Sequence, residues 1–317
     1  MQEHQQKYRQ LCAHTILPVY AKDWWLDAVA GGPERWSATL YEDQQGQVLG
    51  ALPFYREKRL GLSRIKQPPL ATYTHLYLRY PDSEKEHRRY SLERKVIGEL
   101  VRQLPPATHV NLLLDPTLTN WLPFYWQGFR QTTRYTYRWE DLSDPAKLFR
   151  QMESSVRGHI RHARALLQAE TTTELKPFFD LLQTNYQAKK QRNPVDYAQL
   201  QRVHQAVLSR KAGTIWLAKD AAGAVHAGAY CLHDRQCAYY WISASNPALR
   251  SRGATYFLLW EILKHYSKAG LAFHLEGSML PGIEPVFASL GARQVPYFSI
   301  YKFQNRFVES LYSLFFR

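Results

Sequence analysis

Two stretches of this chain bring together side chains with chemical potential. The first is Ser245-Asn246-Pro247-Ala248-Leu249-Arg250-Ser251-Arg252-Gly253-Ala254-Thr255, which leads from strand-like patterning into a helical run rich in Leu and Trp. A strand, a basic glycine-containing turn and a helix N-terminus make a phosphate cradle. The first N–H groups of a helix lack internal partners, its dipole adds positive charge, and Arg250 and Arg252 add more. Arg250, Arg252, Gly253, Ala254 and Thr255 are therefore candidate anion-binding residues; the same composition also suits a solvated loop with a helix cap. The second stretch is Phe273-His274-Leu275-Glu276-Gly277-Ser278. Glu276 ends an apolar strand before a Gly-Ser turn, where desolvation would raise its carboxyl toward the range of a general base. The plainer alternative is a strand-end carboxylate paired to an arginine. His274 shares its strand face and would either relay a proton or fill the sheet surface. Ser278 would bond a substrate or simply complete the turn.

Arg157, Arg161 and Arg164 fall at i, i+4 and i+7, one face of a helix. They form either a phosphate-tracking stripe or a solvated surface. His159 and His162 lack Cys or carboxylate company, so no metal site is expected. Tyr239, Tyr240 and Trp241 alternate along the strand before the cradle, so one face lines a groove and the other is core. There is no GxSxG, and the three cysteines have no evident base partner, so nothing in the sequence supports a nucleophilic Ser or Cys triad.

These residues need elements to hold them, and the chain builds those elements twice. Tyr41–Ala51 and Ala218–Gly228 both read strand, Asp-started Gly-containing turn, strand, with Asp43 matching Asp220 and Gly46 matching Gly223. A second echo pairs Gly128-Phe129-Arg130-Gln131 with Gly291-Ala292-Arg293-Gln294. Ahead of each lies an amphipathic helix (about 83–103 and 254–269) and a short apolar strand (109–114 and 271–275). Further helices are expected over 175–189 and 195–211, and strands over 214–219, 225–233 and 237–244. The tail 306–317 has an amphipathic helical pattern that suits docking on its own domain or a peripheral anionic-surface contact. The fold class is mixed α/β (α+β) with a mixed sheet, in two tandem domains: 1–140, a basic connecting helix over 141–170, and 171–317.

Composition narrows the function. With 317 residues and 45% hydrophobic content the chain buries a core. Its net charge of +14 favours a polyanionic partner. The N-terminus is polar, no apolar run is of membrane-helix length, and the three cysteines make no disulfide framework. A cytoplasmic protein is expected.

Arg250-x-x-Gly253 entering a helix, the strand ending at Glu276, and Phe287-Ala288-Ser289-Leu290-Gly291-Ala292 together resemble the GNAT acyltransferase fold. Two such units around a basic helix resemble its FemAB-like branch. The stretch from Phe273 to Glu284, Trp24-Trp25, Ala51-Leu52-Pro53-Phe54-Tyr55 and Lys66-Gln67-Pro68-Pro69-Leu70 extend the likeness over about residues 20–303. The resemblance implies an N-acyltransferase in which a neutral amine attacks the carbonyl of an activated donor, acyl-CoA or aminoacyl-tRNA, without a covalent enzyme intermediate. The acceptor would be a small-molecule or peptide amine, and no tightly bound cofactor is expected. Glu276, aided by His274 and Ser278, would take the proton. Backbone N–H groups near Ile242 and Ala244 would polarise the carbonyl, and Tyr240, Trp241, Arg157 and Arg161 would contact substrate. The first domain would be degenerate, a scaffold and acceptor wall, because its counterpart of the basic turn, near Pro81–Glu86, is acidic and lacks glycine. Two departures from the pattern stand out. Thr255 replaces the last small residue of the phosphate turn, and Phe287 replaces the tyrosine that protonates a leaving thiolate. The other reading is a non-catalytic anion- or RNA-binding protein on a transferase fold.

Overall fold

The two Asp–Gly hairpins close with the same hydrogen bonds. In this computed structural model, which describes residues 2–59 (Arg59 by its backbone alone), 61–80, 85–249, 253–277, 279–305 and 308–310, Asp43 N–H donates to Gln47 O at 3.0 Å and Asp220 N–H to Ala224 O at 3.2 Å. Each aspartate Oδ1 also accepts from two N–H groups of its own loop: those of Gln45 and Gln47 in one, of Ala222 and Ala224 in the other. Gly46 and Gly223 sit at φ 75° and 83°, a region where glycine escapes the Cβ penalty.

The chain order is α1 (Gln2–His14), α2 (Asp23–Ala30), β1 (Trp36–Glu42), β2 (Val48–Arg59), β3 (Leu62–Lys66), β4 (Tyr77–Leu78), α3 (Glu86–Arg102), β5 (His109–Leu113), α4 (Leu122–Trp126) and β6 (Arg130–Trp139). There follow α5 (Pro145–Gln151), α6 (Ser154–Arg164), β7 (Gln168–Thr172), α7 (Leu175–Ala188), α8 (Tyr197–Arg210), β8 (Gly213–Lys219), β9 (Val225–His233) and β10 (Cys237–Ser245). The chain ends with α9 (Ala254–Ser267), β11 (Ala272–His274), α10 (Glu284–Ala288) and β12 (Arg293–Phe303).

The chain divides into two compact units, one of residues 1–134 with 296–317 and one of residues 135–295. In the first, the strands pair β1-β2-β3-β5-β12, antiparallel except for the parallel β3–β5 step, and β4 adds to β2. In the second, the order is β7-β8-β9-β10-β11-β6, antiparallel except for the parallel β10–β11 step. The two orders match strand for strand apart from the extra strands β4 in the first unit and β7 in the second.

This pairing moves the expected boundaries. Residues 299–303 of β12 pair with 109–113 of β5, so the final strand belongs to the first unit and not to a domain spanning 171–317. Likewise Arg138 and Trp139 of β6 pair with His274 and Phe273, which places the end of the expected first domain in the second unit. The segment 141–170 is no free connector either. Val156, Ile160 and Ala163 of α6 are buried in the second unit's core with Phe257, Leu258 and Leu263 of α9. Helical spacing of those three residues turns the arginines outward.

The strands β9 and β10 read as nearly continuous apolar runs because helices cover both their faces. Cys231 and Tyr240 point into the core beneath α9, while Tyr230 on the other face meets Phe178 of α7 edge-on, with centroids 6.1 Å apart. In the first unit Val96, Ile97 and Leu100 of α3 cover Leu52, Ile65 and Leu112, and Tyr8, Cys12 and Leu26 cover the other face at Trp36, Ala38 and Leu40. All three cysteines are buried thiols. Among the described residues no helix is long and apolar enough to cross a membrane. The expected tail helix lies outside them save for residues 308–310, as do residues 81–84 of the acidic segment.

Candidate functional site

β10 and β11 run side by side for only three residue pairs, from Cys237–Ala272 to Tyr239–His274. There β11 ends, and Leu275 N–H turns to Tyr137 O of β6 at 2.9 Å. β10 continues to Ser245 with β9 on one side and no strand on the other among the described residues. Its register with β9 shifts at a bulge between Tyr240 and Ile242. Asn246 N–H donates to His226 O at 2.9 Å. In an antiparallel ladder alternate residues address the same neighbour. Ile242 and Ala244 therefore turn their N–H groups to β9, and Ser243 and Ser245 turn theirs to the side that β11 has left. The sequence placed these donors at Ile242 and Ala244; the bulge shifts them by one.

The first unit has the same strand junction, closed. β3 and β5 pair from Arg64–His109 to Lys66–Asn111, and then residue 74 fills the place beside β5. Thr74 N–H donates to Leu113 O at 2.6 Å, and Asp115 N–H to Thr74 O at 3.2 Å. Leu114 N–H bonds Phe298 O of β12 at 2.9 Å, as Leu275 bonds Tyr137. Asp115 is thus the positional counterpart of Glu276. It accepts from the His75 ring and from the Thr117 hydroxyl and N–H. Burial alone would raise the Asp115 carboxyl, but the charge of His75 and these bonds hold it below the usual carboxylate value.

Glu276 sits at φ 62°, unusual for a residue with a Cβ, and Gly277 follows at 65°. The turn is pinned by Gly277 N–H, which donates to the Thr136 hydroxyl at 2.8 Å. The Glu276 side chain is 4% exposed and that of His274 3%. Glu276 Oε1 lies 3.2 Å from His274 Nδ1, and Oε2 is buried with no hydrogen-bond partner among the described residues. The strand-end carboxylate has a histidine partner where an arginine was the alternative. A buried acceptor without a donor is destabilising, and such a group is usually kept for use.

At the start of α9 the packing is close. Gly253 has φ 99°, and a Cβ there would lie 2.6 Å from His159 O of α6. The glycine is needed for that approach, a reason the sequence does not display. The His159 ring stacks on Tyr256 (centroids 5.8 Å apart, 17° between planes), and its Nδ1 is buried without a partner among the described residues. Ala254 is buried in the core and Thr255 is half-buried. The first N–H groups of α9 have no acceptor within the helix, the general reason a helix start suits a phosphate group. Arg250, Arg252 and Ser278 lie outside the described residues.

Other expected contacts are placed differently. Tyr240 is 5% and Trp241 9% exposed, the latter edge-on to Tyr230 at 5.1 Å, so both are core and neither lines an open groove. Arg157 Nη1 donates to the carbonyls of Arg150 and Met152, closing the end of α5. Arg161 is exposed, its guanidinium 5.6 Å from the Phe149 ring centroid. Phe287 is buried, and the nearby phenol is that of Tyr137, centroids 6.4 Å apart. Tyr137 OH donates to the Glu284 carboxylate and accepts from Gln294 Nε2 at 2.9 Å. Burial, then the Glu284 bond, raises that phenol above its ordinary pKa. Only the position of Tyr137 two residues before Trp139 was visible in the sequence; the phenol's place beside Phe287 was not.

Residues 150–281 match the family model of the acetyltransferase (GNAT) domain. No curated protein sequence matches the chain. The structure resembles FemX (TM-score 0.67, 13% identity, covering 98% of each chain). It also resembles L-PGS from Bacillus licheniformis (0.59, 10%, 98% of this chain and 94% of the other). A third likeness is the tandem GNAT protein of the clavulanic acid biosynthesis pathway, solved without AcCoA (0.53, 14%, 95% and 94%). Residues 150–281 are therefore similar to the acetyltransferase (GNAT) domain over that span, and the chain as a whole shares the fold of FemX and of the tandem GNAT protein.

Proposed function

We propose that the second unit transfers an acyl or aminoacyl group from an activated donor to the amine of a small molecule or peptide. The observation that carries this reading is the parting of β10 and β11 beside the Glu276–His274 pair, directly before α9. The donor, an acyl-CoA or an aminoacyl-tRNA, would supply a carbonyl made electrophilic by its leaving group. The residues of this chain would do the rest. The N–H groups of Gly253 to Tyr256 and the His159 ring would hold phosphate oxygens, together with Arg250 and Arg252. Ser243 and Ser245 N–H would donate to the oxygen on which negative charge develops. Glu276 Oε2, unpartnered among the described residues, would accept the amine proton as the N–C bond forms; the donor's C–S or C–O bond would then break and that proton would pass to the departing thiol or ribose hydroxyl, with His274 steadying the carboxyl through Oε1. The closed junction of the first unit agrees with its role as scaffold and acceptor wall.

The test is to denature the purified protein and look for bound donor by mass spectrometry, then titrate with acetyl-CoA and with tRNA at low salt. Saturable binding of either, followed by acyl transfer to an amine panel, is expected. Binding of neither at low salt would overturn the reading; binding of RNA without any turnover would favour an anion-binding protein on a transferase fold.

A further inference from the structure

The motif Lys66-Gln67-Pro68-Pro69-Leu70 plays no part in acyl transfer as described, yet it frames a cavity of about 330 Å³ in the first unit. Strand alternation places Arg64 and Lys66 on one face of β3, with Ile65 in the core behind them. On β5, His109 and Asn111 lie on the same face, each directly opposite one of these cations: Arg64 beside His109, Lys66 beside Asn111. Among the described residues, the turn that follows β3 forms the rim of this polar quartet.

Three features mark the cavity as built for an occupant. The Asn111 Oδ1 is buried and has no hydrogen-bond donor among the described residues, which is destabilising unless a ligand provides one. The rim is strained as well. Ala71 N–H closes a four-residue turn on Pro68 O at 3.2 Å, and Leu70 occupies its third position at φ 65°. That position suits glycine or asparagine, and a leucine held there is a local conflict of the kind found at ligand clamps. The third feature is electrostatic and steric. The His109 ring stacks on Phe303 (centroids 4.2 Å apart, 6° between planes), giving the cavity a flat, fixed wall. Burial, with the Arg64 charge beside it, lowers the His109 ring to about 4, so it stands as a neutral hydrogen-bonding group near neutral pH.

We propose that this cavity binds a small hydroxylated oxyanion, its phosphate or carboxylate on Arg64 and Lys66 and a hydroxyl donating to Asn111 Oδ1. A guanidinium fork matches either oxyanion. Lys66 also meets Glu57 at 3.1 Å, which offsets part of its charge toward a ligand. The prolines and Leu70 present apolar surface to a carbon skeleton, and the neutral His109 ring offers a further polar contact. The site stands apart from the acyl-transfer reading, since none of its residues takes part there.

Full-length protein titrated with glucose 1-phosphate and glucuronate by calorimetry should show saturable binding to either or both, at least about tenfold tighter than inorganic phosphate or glucose. Arg64→Met should weaken that binding at least about tenfold. Asn111→Ala should weaken the hydroxylated probe by about as much while leaving inorganic phosphate unchanged, a split that a merely structural asparagine would not produce. Should Asn111→Ala fail to fold, the wild-type side-chain amide of Asn111 and the ring of His109 can be followed by NMR during the titration, where both should shift. Equal affinity for inorganic phosphate and for the hydroxylated probes, or probe binding that leaves both resonances still, would overturn the assignment.

Discussion

Gly253→Ala separates two duties that one glycine performs. A methyl at Gly253 would lie 2.6 Å from His159 O, 2.8 Å from its carbonyl carbon and 2.8 Å from its Cβ. These are backbone-anchored atoms, so relief requires α6 to move, not a side chain to rotate. Gly270 is the natural control: it has φ 64° and nothing within 4 Å of a built Cβ. Gly270→Ala therefore meets only the left-handed penalty, about 1–2 kcal/mol. Gly253→Ala meets a comparable backbone penalty plus overpacking of about 1–3 kcal/mol, for a total near 2–5 kcal/mol. Urea unfolding at fixed pH measures both. The α6 shift should also disturb the His159–Tyr256 stack, so donor affinity should fall in Gly253→Ala and stay unchanged in Gly270→Ala. Equal destabilisation of the two variants would refute the close-approach argument.

Other outcomes follow from the same geometry. Glu276→Gln should lower turnover by about a hundredfold or more with little change in donor binding, the signature of a lost proton acceptor in steady-state kinetics; wild-type turnover would remove Glu276 from that role. His109 has a folded pKa of about 4, below the unfolded value of 6.5, so the unfolded state binds more protons between them. Stability is then present above the unfolded pKa and lost as pH falls toward the folded one, by about 2 kcal/mol between about pH 7 and pH 5. His109→Phe, which keeps a ring against Phe303, should lose that part of the acid sensitivity in paired denaturation curves; identical pH slopes would count against it. Arg157→Ala, which strips the α5 carbonyls of a donor, should cost about 1 kcal/mol of stability and leave ligand binding intact. Arg161→Ala should leave stability nearly unchanged, and calorimetry with tRNA would show whether its exposed charge contributes to affinity.

Much of the architecture was legible because its signals are local. The Asp–Gly hairpins, the apolar alternation of β5 and β8 and the amphipathic spacing of α3 and α7 each express a short-range rule, and each element formed within a few residues of its expected place. What stayed hidden depended on contacts distant in sequence. Nothing near residue 140 says that the chain around it pairs with residues 273 and 274, so the extent of each unit is not legible there. The bulge between Tyr240 and Ile242 exchanges which N–H groups face the gap, and no residue type announces it. Arg157 and Arg161 look alike on a helical wheel, yet one is spent on the carbonyls ending α5 while the other remains at the surface. Glu276 was found by its place at a strand end; its partnership with His274 and its left-handed backbone emerged only in three dimensions.

The placement of β12 bears on how the protein is made. Residues 135–295 are uninterrupted, so that unit has all its strands once the ribosome has passed it. The other unit, though its residues are synthesised first, must wait with the edge of β5 uncovered until residues 299–303 leave the exit tunnel. Truncation just before β12 would leave that edge permanently bare, an invitation to pair with neighbouring chains. The last strand of the first unit is thus supplied by residues that follow the whole of the second.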